Sequence, residues 1–156
     1  MKPKIELDRT DRSIVSVLQS DARATVTEIA RRVGLSKTPV AHRIKHLEAI
    51  GLITGYRAIL SPIAMGLSHV TFVEVRLTDT REAALRKFND AVRAIPQVEE
   101  CYMIAGGFDY LIKVRSESIE DYRAIMGEKI SALPYVAATS SYVAMEAVID
   151  DASLAL

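Results

Sequence analysis

The chain has 156 residues and carries 20 Lys and Arg against 20 Asp and Glu, a formal charge of zero, with 49% apolar and 26% charged residues. That composition is globular, and it excludes a disordered, collagen-like or disulfide-scaffold chain; the length suits one average domain or two small ones. The one cysteine, Cys101, allows neither an internal disulfide nor a multi-cysteine metal site and fits a reducing compartment. Residues 1–6 hold no apolar run, so no signal peptide is expected. No stretch reaches the roughly 18 uninterrupted apolar residues of a membrane helix, and a cytoplasmic protein is expected.

The zero net charge hides a division. Residues 1–60 hold 11 Lys and Arg against 6 Asp and Glu, a net +5, whereas residues 61–156 hold 9 against 14, a net −5. An asymmetry of this kind points to a nucleic-acid-binding module joined to a second unit.

In chain order, Asp8 is placed to cap a first helix, with Asp11 in its first turn and Ile14, Val15, Val17 and Leu18 as its apolar stripe. Thr25-Val26-Thr27-Glu28 has the capping-box form and opens a second helix that runs to Val33, with Gly34 as its left-handed terminator. Ser36 is placed to cap a third helix, in which Pro39 is tolerated because it lies in the first turn. Val40, Ile44 and Leu47 mark its buried face, and Gly51 ends it. Residues 53–60 read as a short extended hairpin or wing, closed by Pro62.

The pattern then becomes mixed. Residues 69–77 alternate as a strand, with Val73, Val75 and Leu77 on one face and Val70 and Phe72 on the other. A helix beginning near Asp79-Thr80-Arg81-Glu82 carries Leu85, Phe88, Val92 and Ile95. Strands are expected over 98–105 and 110–115, separated by the turn Gly106-Gly107-Phe108. A helix capped by Ser118 with Asp121 carries Ile119, Tyr122, Ile125 and Ile130. After Pro134 comes a long last strand over 135–148. The order β-α-β-β-α-β is that of a ferredoxin-like domain, so the fold class is α+β: a helical domain over 1–53, a linking hairpin over 54–65 and a ferredoxin-like domain over 66–156. Helices on one face of such a sheet leave the other bare. Val70, Phe72, Tyr102 and Ile104 are expected there, and an apolar sheet face of that size implies self-association.

The segment from Thr27 to Gly51 has the outline of a helix-turn-helix. With Val40, Ile44 and Leu47 turned inward, the opposite face of the third helix presents Thr38, Ala41, His42, Lys45 and Ala49. Thr38, His42 and Lys45 are therefore candidates for base edges. Arg31, Arg32, Lys37 and Arg43, with Arg57 in the wing, are candidates for phosphates, and Ser36 and Lys37 stand at the end where a recognition helix enters the groove. His42 and His46 have the i, i+4 spacing of metal ligands, but no acidic or thiol third ligand accompanies them, and no metal is expected. Cys101, inside an apolar strand, reads as a core residue, and His69, at a strand start, as a structural one. Gly106-Gly107 is followed by a strand rather than a capped helix, which argues against a phosphate cradle.

Leu7-Asp8-Arg9-Thr10-Asp11-Arg12-Ser13-Ile14 resembles the opening signature of the leucine-responsive regulatory protein/asparagine-operon regulator (Lrp/AsnC) family. The same holds for Val33-Gly34-Leu35-Ser36, Arg43-Ile44-Lys45-His46-Leu47-Glu48, Gly51-Leu52-Ile53 with Gly55-Tyr56, and Gly106-Gly107-Phe108-Asp109-Tyr110. The resemblance spans nearly the whole chain in the right order. It implies an N-terminal winged helix-turn-helix and a C-terminal βαββαβ effector domain of the RAM/ACT-like kind. It further implies a transcription regulator that binds double-stranded DNA, forms dimers and octamers, and answers to a free amino acid held between C-terminal domains. Carried over residue by residue, the effector loop falls on Gly106, Gly107, Phe108, Asp109 and Tyr110. Met103 and Ala105 stand on the approach strand, and Pro134, Tyr135, Val136, Thr139 and Ser141 on the final one. Glycines admit backbone N–H groups to a carboxylate, and Asp109 offers an acceptor to the ammonium. Where several members of that family carry an acidic residue, this chain has Gly107. An apolar edge of Met103, Phe108 and Tyr110 favours an aliphatic, branched-chain or proline effector.

Two other functions compete with an amino-acid-responsive regulator. One is a nucleoid-associated architectural protein without effector. The other is an enzyme on the ferredoxin-like domain, for which the sequence offers no nucleophile–base pair, metal cluster or paired carboxylates.

Overall fold

The computed structural model describes residues 5–150. The first four residues, part of the segment read above for a signal peptide, and the last six residues of the expected second domain lie outside it. Two units are built, one reaching Ile59 and the other covering Leu60–Ile149.

The first unit is three helices, α1 (Arg9–Ser20), α2 (Val26–Val33) and α3 (Lys37–Ala49). The Asp8 carboxylate accepts the Asp11 N–H at 2.7 Å, which satisfies one of the free donors at the start of α1. At α2 the capping box closes in both directions: Glu28 N–H donates to the Thr25 hydroxyl at 3.3 Å, and Thr25 N–H donates to the Glu28 carboxylate at 2.7 Å. Gly34 follows at φ +71°, a conformation that costs a side-chain-bearing residue and costs glycine nothing. Ser36 takes the cap position of α3, but its hydroxyl makes no capping hydrogen bond, contrary to expectation. Ile14, Ile29, Ala30, Val40 and Leu47 form the core, with Ile44 packed on its margin. The hairpin expected over 53–60 is not formed. The segment takes no regular secondary structure and has no ladder partner among the described residues. A single 3₁₀ turn, Ile63–Met65, follows Pro62.

The second unit begins with β1 (His69–Leu77), followed by α4 (Glu82–Arg93), β2 (Val98–Met103), β3 (Tyr110–Ser116), α5 (Ile119–Ile125) and β4 (Val136–Val143). The sheet is antiparallel throughout, in the order β2-β3-β1-β4, which is the ferredoxin-like arrangement. Val73, Val75, Tyr110, Ile112 and Val114 meet Phe88, Val92, Tyr122, Ile125 and Ile130 in one core, as the strand alternation and, Ile119 apart, the helical stripes predict. Ile119, expected on the inner stripe of α5, is 49% exposed, and after Ile125 the helix widens into a π turn over Met126–Ile130. That wider turn brings Ile130 into the core. The last strand ends at Val143 rather than at residue 148, and the second at Met103 rather than at residue 105.

The open face of the sheet is mixed rather than apolar. Phe72, Tyr102 and Tyr142 share it with Lys113 and Arg115, which pair with Glu99 and Glu100 at the β2 edge. Val70, expected there as an exposed apolar residue, is only 7% accessible.

Phe88 is fully buried, with its ring centroid 4.4 Å from that of Tyr110. Phe88→Ala should destabilise the second unit by about 3–5 kcal/mol, read as a lowered unfolding midpoint in a denaturant titration.

Candidate DNA-reading helix and effector recess

In the first unit α3 lays out its side chains as the helical period requires. Lys37, Thr38, His42 and Lys45 are exposed, as are Arg31 and Arg32 on α2, Ser36 before α3 and Arg57 beyond it. With the Ser36 hydroxyl uncommitted, the first-turn N–H groups of α3 keep their full attraction for an anion, and Lys37 stands beside them.

Arg43 departs from its expected role. Its Nη1 donates to Asp8 at 2.5 Å and to Asp11 at 2.7 Å, tying α3 to the start of α1. The guanidinium is therefore compensated by two carboxylates, and it ties α3 to α1 rather than standing free for a phosphate. Asp8 is held below its ordinary range first by the Asp11 N–H and then by Arg43, and Arg43 is raised by Asp11 and Asp8. A second tie, from the Tyr56 hydroxyl to the Glu48 carboxylate at 2.9 Å, holds the chain after α3 against the helix. Burial and then Glu48 push the Tyr56 phenol up to about 12. Neither tie was legible in the sequence, because spacing does not signal partners so far apart.

In the second unit the residues carried over for an effector divide into several groups. Phe108 and Thr139 line a recess of about 260 Å³ together with Glu74, Arg76, Ala138 and Ser140. Met103 and Tyr110 instead border a different recess of about 470 Å³ between α4 and β2. The Tyr110 ring belongs to the core and is only 2% exposed, so it forms no pocket edge with Phe108. Strand parity explains the division. Thr139 and Ser141 lie opposite Val75 and Val73 and so share the helix-covered face, where Ser141 is hydrogen-bonded to the Tyr122 hydroxyl. The open face of β4 belongs to Ala138 and Ser140, opposite Arg76 and Glu74. Sequence reading missed Glu74 and Arg76, although opposite charges two apart on a half-exposed strand were a visible signal.

Asp109 is also committed. Its carboxylate accepts the Leu77 N–H at 2.7 Å, its own N–H donates to the Val75 carbonyl at 2.9 Å, and its carbonyl accepts the Ile104 N–H at 2.9 Å. It anchors the loop over Ala105, Gly106, Gly107 and Phe108 to the end of β1. Pro134 and Tyr135 precede β4; Tyr135 has φ +66°, and its carbonyl accepts from the N–H of Thr78 at 2.8 Å and from its hydroxyl at 3.2 Å. Val136 packs on the core margin. Cys101 is half-buried against the core, and burial pushes its thiol up. His69 is fixed by a contact of 2.9 Å between Nδ1 and the Ser116 hydroxyl. No group of three His, Cys, Asp or Glu able to hold a metal occurs among the described residues. None of their helices is long and apolar enough to cross a membrane.

Comparison with known proteins agrees with this geometry. Residues 7–54 match a winged helix-turn-helix DNA-binding family, and residues 70–154 match the Lrp/AsnC ligand binding domain. A proline dehydrogenase transcriptional activator of Rhodobacter capsulatus is 69% identical over 150 residues, covering 96% of this chain and 97% of its own. The leucine-responsive regulatory protein of Escherichia coli K12 is 41% identical, covering 94% and 90%. Among solved structures, an AsnC family transcriptional regulator from Agrobacterium tumefaciens superimposes with a TM-score of 0.91 at 33% identity, covering 96% and 97%. A Neisseria meningitidis regulator in complex with L-Met gives 0.90 at 29%, with the same coverage. These relatives are transcriptional regulators, the first being named as a transcriptional activator and not as the enzyme.

The Asp8–Arg43 pair gives a signed dependence on pH. A carboxylate whose folded pKa is lowered stabilises the fold above its unfolded pKa, and that stability is lost as the pH falls through the folded value. Asp8→Asn should therefore flatten the acid limb of unfolding below about pH 4. Equilibrium unfolding followed from pH 6 to pH 2 checks it. Lys37→Ala should reduce the salt slope of DNA binding by about one, and Arg43→Ala should leave the slope unchanged while lowering the stability of the unit. Fluorescence anisotropy between 50 and 300 mM salt distinguishes the two.

Proposed function

The chain belongs to the Lrp/AsnC family of DNA-binding transcriptional regulators, and on that premise we propose that it is a proline-responsive activator of a proline dehydrogenase gene. The observation that carries this reading is the 69% identity, over nearly all of both chains, to a protein named for that activation. A second such activator, from Rhizobium radiobacter, is 52% identical over 143 residues. A gene for degrading an amino acid is usefully switched by that same amino acid, and proline lies within the small apolar class that fits a recess bordered by Phe108 and Ala138.

In this reading α3 enters the major groove. Thr38, His42 and Lys45 meet base edges, and Arg31, Arg32, Ser36, Lys37 and Arg57 meet phosphates. The chain acts in the cytoplasm as a homo-oligomer built on its C-terminal domains, a dimer or an octamer. Two-fold symmetry then calls for pseudo-palindromic half-sites. Proline bound between C-terminal domains changes DNA binding only to the extent that it favours one assembly over another.

The test uses purified protein and the proline dehydrogenase promoter of the genome that encodes it. At a hundred times its dissociation constant, the effector should add about 2.7 kcal/mol of stability and raise the unfolding midpoint by several degrees. L-proline should do so selectively among the twenty amino acids and should change promoter occupancy measured by anisotropy. Equal affinity for unrelated DNA of the same length, with no response to any amino acid, would replace this reading with the architectural one.

A further inference from the structure

We propose that the recess between α4 and β2 is a second ligand site, for a small uncharged molecule with a compact apolar body and one head that both donates and accepts hydrogen bonds. The Tyr110 hydroxyl and the Asn89 amide are its polar partners. The site stands on the helix-covered side of the sheet, so it leaves the open face to self-association, and it does not rest on the amino-acid-sensing reading above.

The observation that carries it is an unpaired hydroxyl. Tyr110 is 2% exposed, and its hydroxyl is buried with no hydrogen-bond partner among the described residues. Buried polar groups are almost always paired, so an orphan of this kind calls for a partner from outside the chain. The ring is packed against Phe88, with 4.4 Å between centroids, and the oxygen at its tip therefore has no freedom to swing towards another residue. It borders the recess of about 470 Å³, a volume within the range of small-molecule sites.

The strands and the helix set the rest of the lining. Met103 lies opposite Tyr110 in the ladder and Cys101 opposite Ile112, so both share the helix-covered face. Asn89 and Val92, three apart on α4, border the same space, and Val98 completes its apolar part. Burial and then Cys101 push the Tyr110 phenol up while Asn89 draws it down, and burial pushes the Cys101 thiol up. Phenol and thiol are thus both uncharged at neutral pH.

The charges around the recess are already matched. Arg93 pairs with Asp90 at 3.0 Å, Glu99 with Arg115 and Lys113, and Glu100 with Lys113. An ion entering the recess would exchange its water for groups that carry no net charge, and a zwitterionic amino acid would do so at both ends. A neutral head loses less water and can give a proton to one partner while accepting from the other.

Saturation-transfer NMR on the full chain with benzamide, benzoate and benzylamine tests this. The three probes share a ring and differ in a neutral, an anionic and a cationic head. Benzamide should bind with a dissociation constant on the order of 1 mM, and the two ions at least about tenfold more weakly. Tyr110→Phe should weaken benzamide by about five- to tenfold, and Asn89→Ala should act in the same direction. Tyr110→Phe should also keep or raise the ligand-free unfolding midpoint, because the hydroxyl it removes has no partner to lose. A lowered midpoint would reveal a structural hydrogen bond there and overturn the proposal. Benzamide binding that Tyr110→Phe leaves untouched, or equal binding of all three probes, would overturn it as well. Displacement of benzamide by L-proline would make the recess part of the effector site rather than a second one. Binding of none of the probes would assign the recess to water alone, with the amino-acid response standing or falling separately.

Discussion

The second unit depends on the way Asp109 is held. Three hydrogen bonds converge on this residue, from its carbonyl, its N–H and its carboxylate, and two of them reach the end of β1. Held in this way, the loop brings Phe108 to the recess that Glu74, Arg76, Ala138, Thr139 and Ser140 also line. The Asp109 carboxylate is thereby occupied in holding its own loop to the end of β1.

The first unit solves a parallel problem in another way. The helix α3 is bounded by a turn at one end and a segment without regular structure at the other. The Arg43 fork to Asp8 and Asp11 and the Tyr56–Glu48 bond brace it near its middle and at its far end. The positive charge of Arg43 is thus structural, and among the described residues of the first unit the exposed basic side chains outside any ion pair include Arg31, Arg32, Lys37, Lys45 and Arg57 as well as Arg9, Arg12 and Arg23.

Most of the architecture was legible in the sequence because it is local. The Asp8 cap, the Thr25–Glu28 box, the period of the helices and the alternation of His69–Leu77 each concern residues a few positions apart. What was not legible depends on partners distant in sequence or on parity. The fork on Arg43 joins residues 35 and 32 positions apart, and the Asp109 bond to Leu77 joins residues 32 apart. The final strand is legible as a strand, but its register, which puts Ser141 on the helix-covered face and Ala138 and Ser140 on the open one, is not. A period-two pattern tells that faces alternate. It does not tell which face is which unless one of them is clearly apolar, and on this edge strand neither is.

The contrast between the starts of α2 and α3 has a consequence for the economy of recognition. The box at α2 satisfies its end donors from within the chain, whereas the hydroxyl at the start of α3 leaves them to solvent. A side-chain cap is worth about 1 kcal/mol to a helix, and α3 forgoes it. On the proposed reading, in which this end meets DNA, a phosphate oxygen supplies the missing acceptor. Part of the affinity for DNA is then deferred folding energy: the nucleic acid completes the helix that reads it.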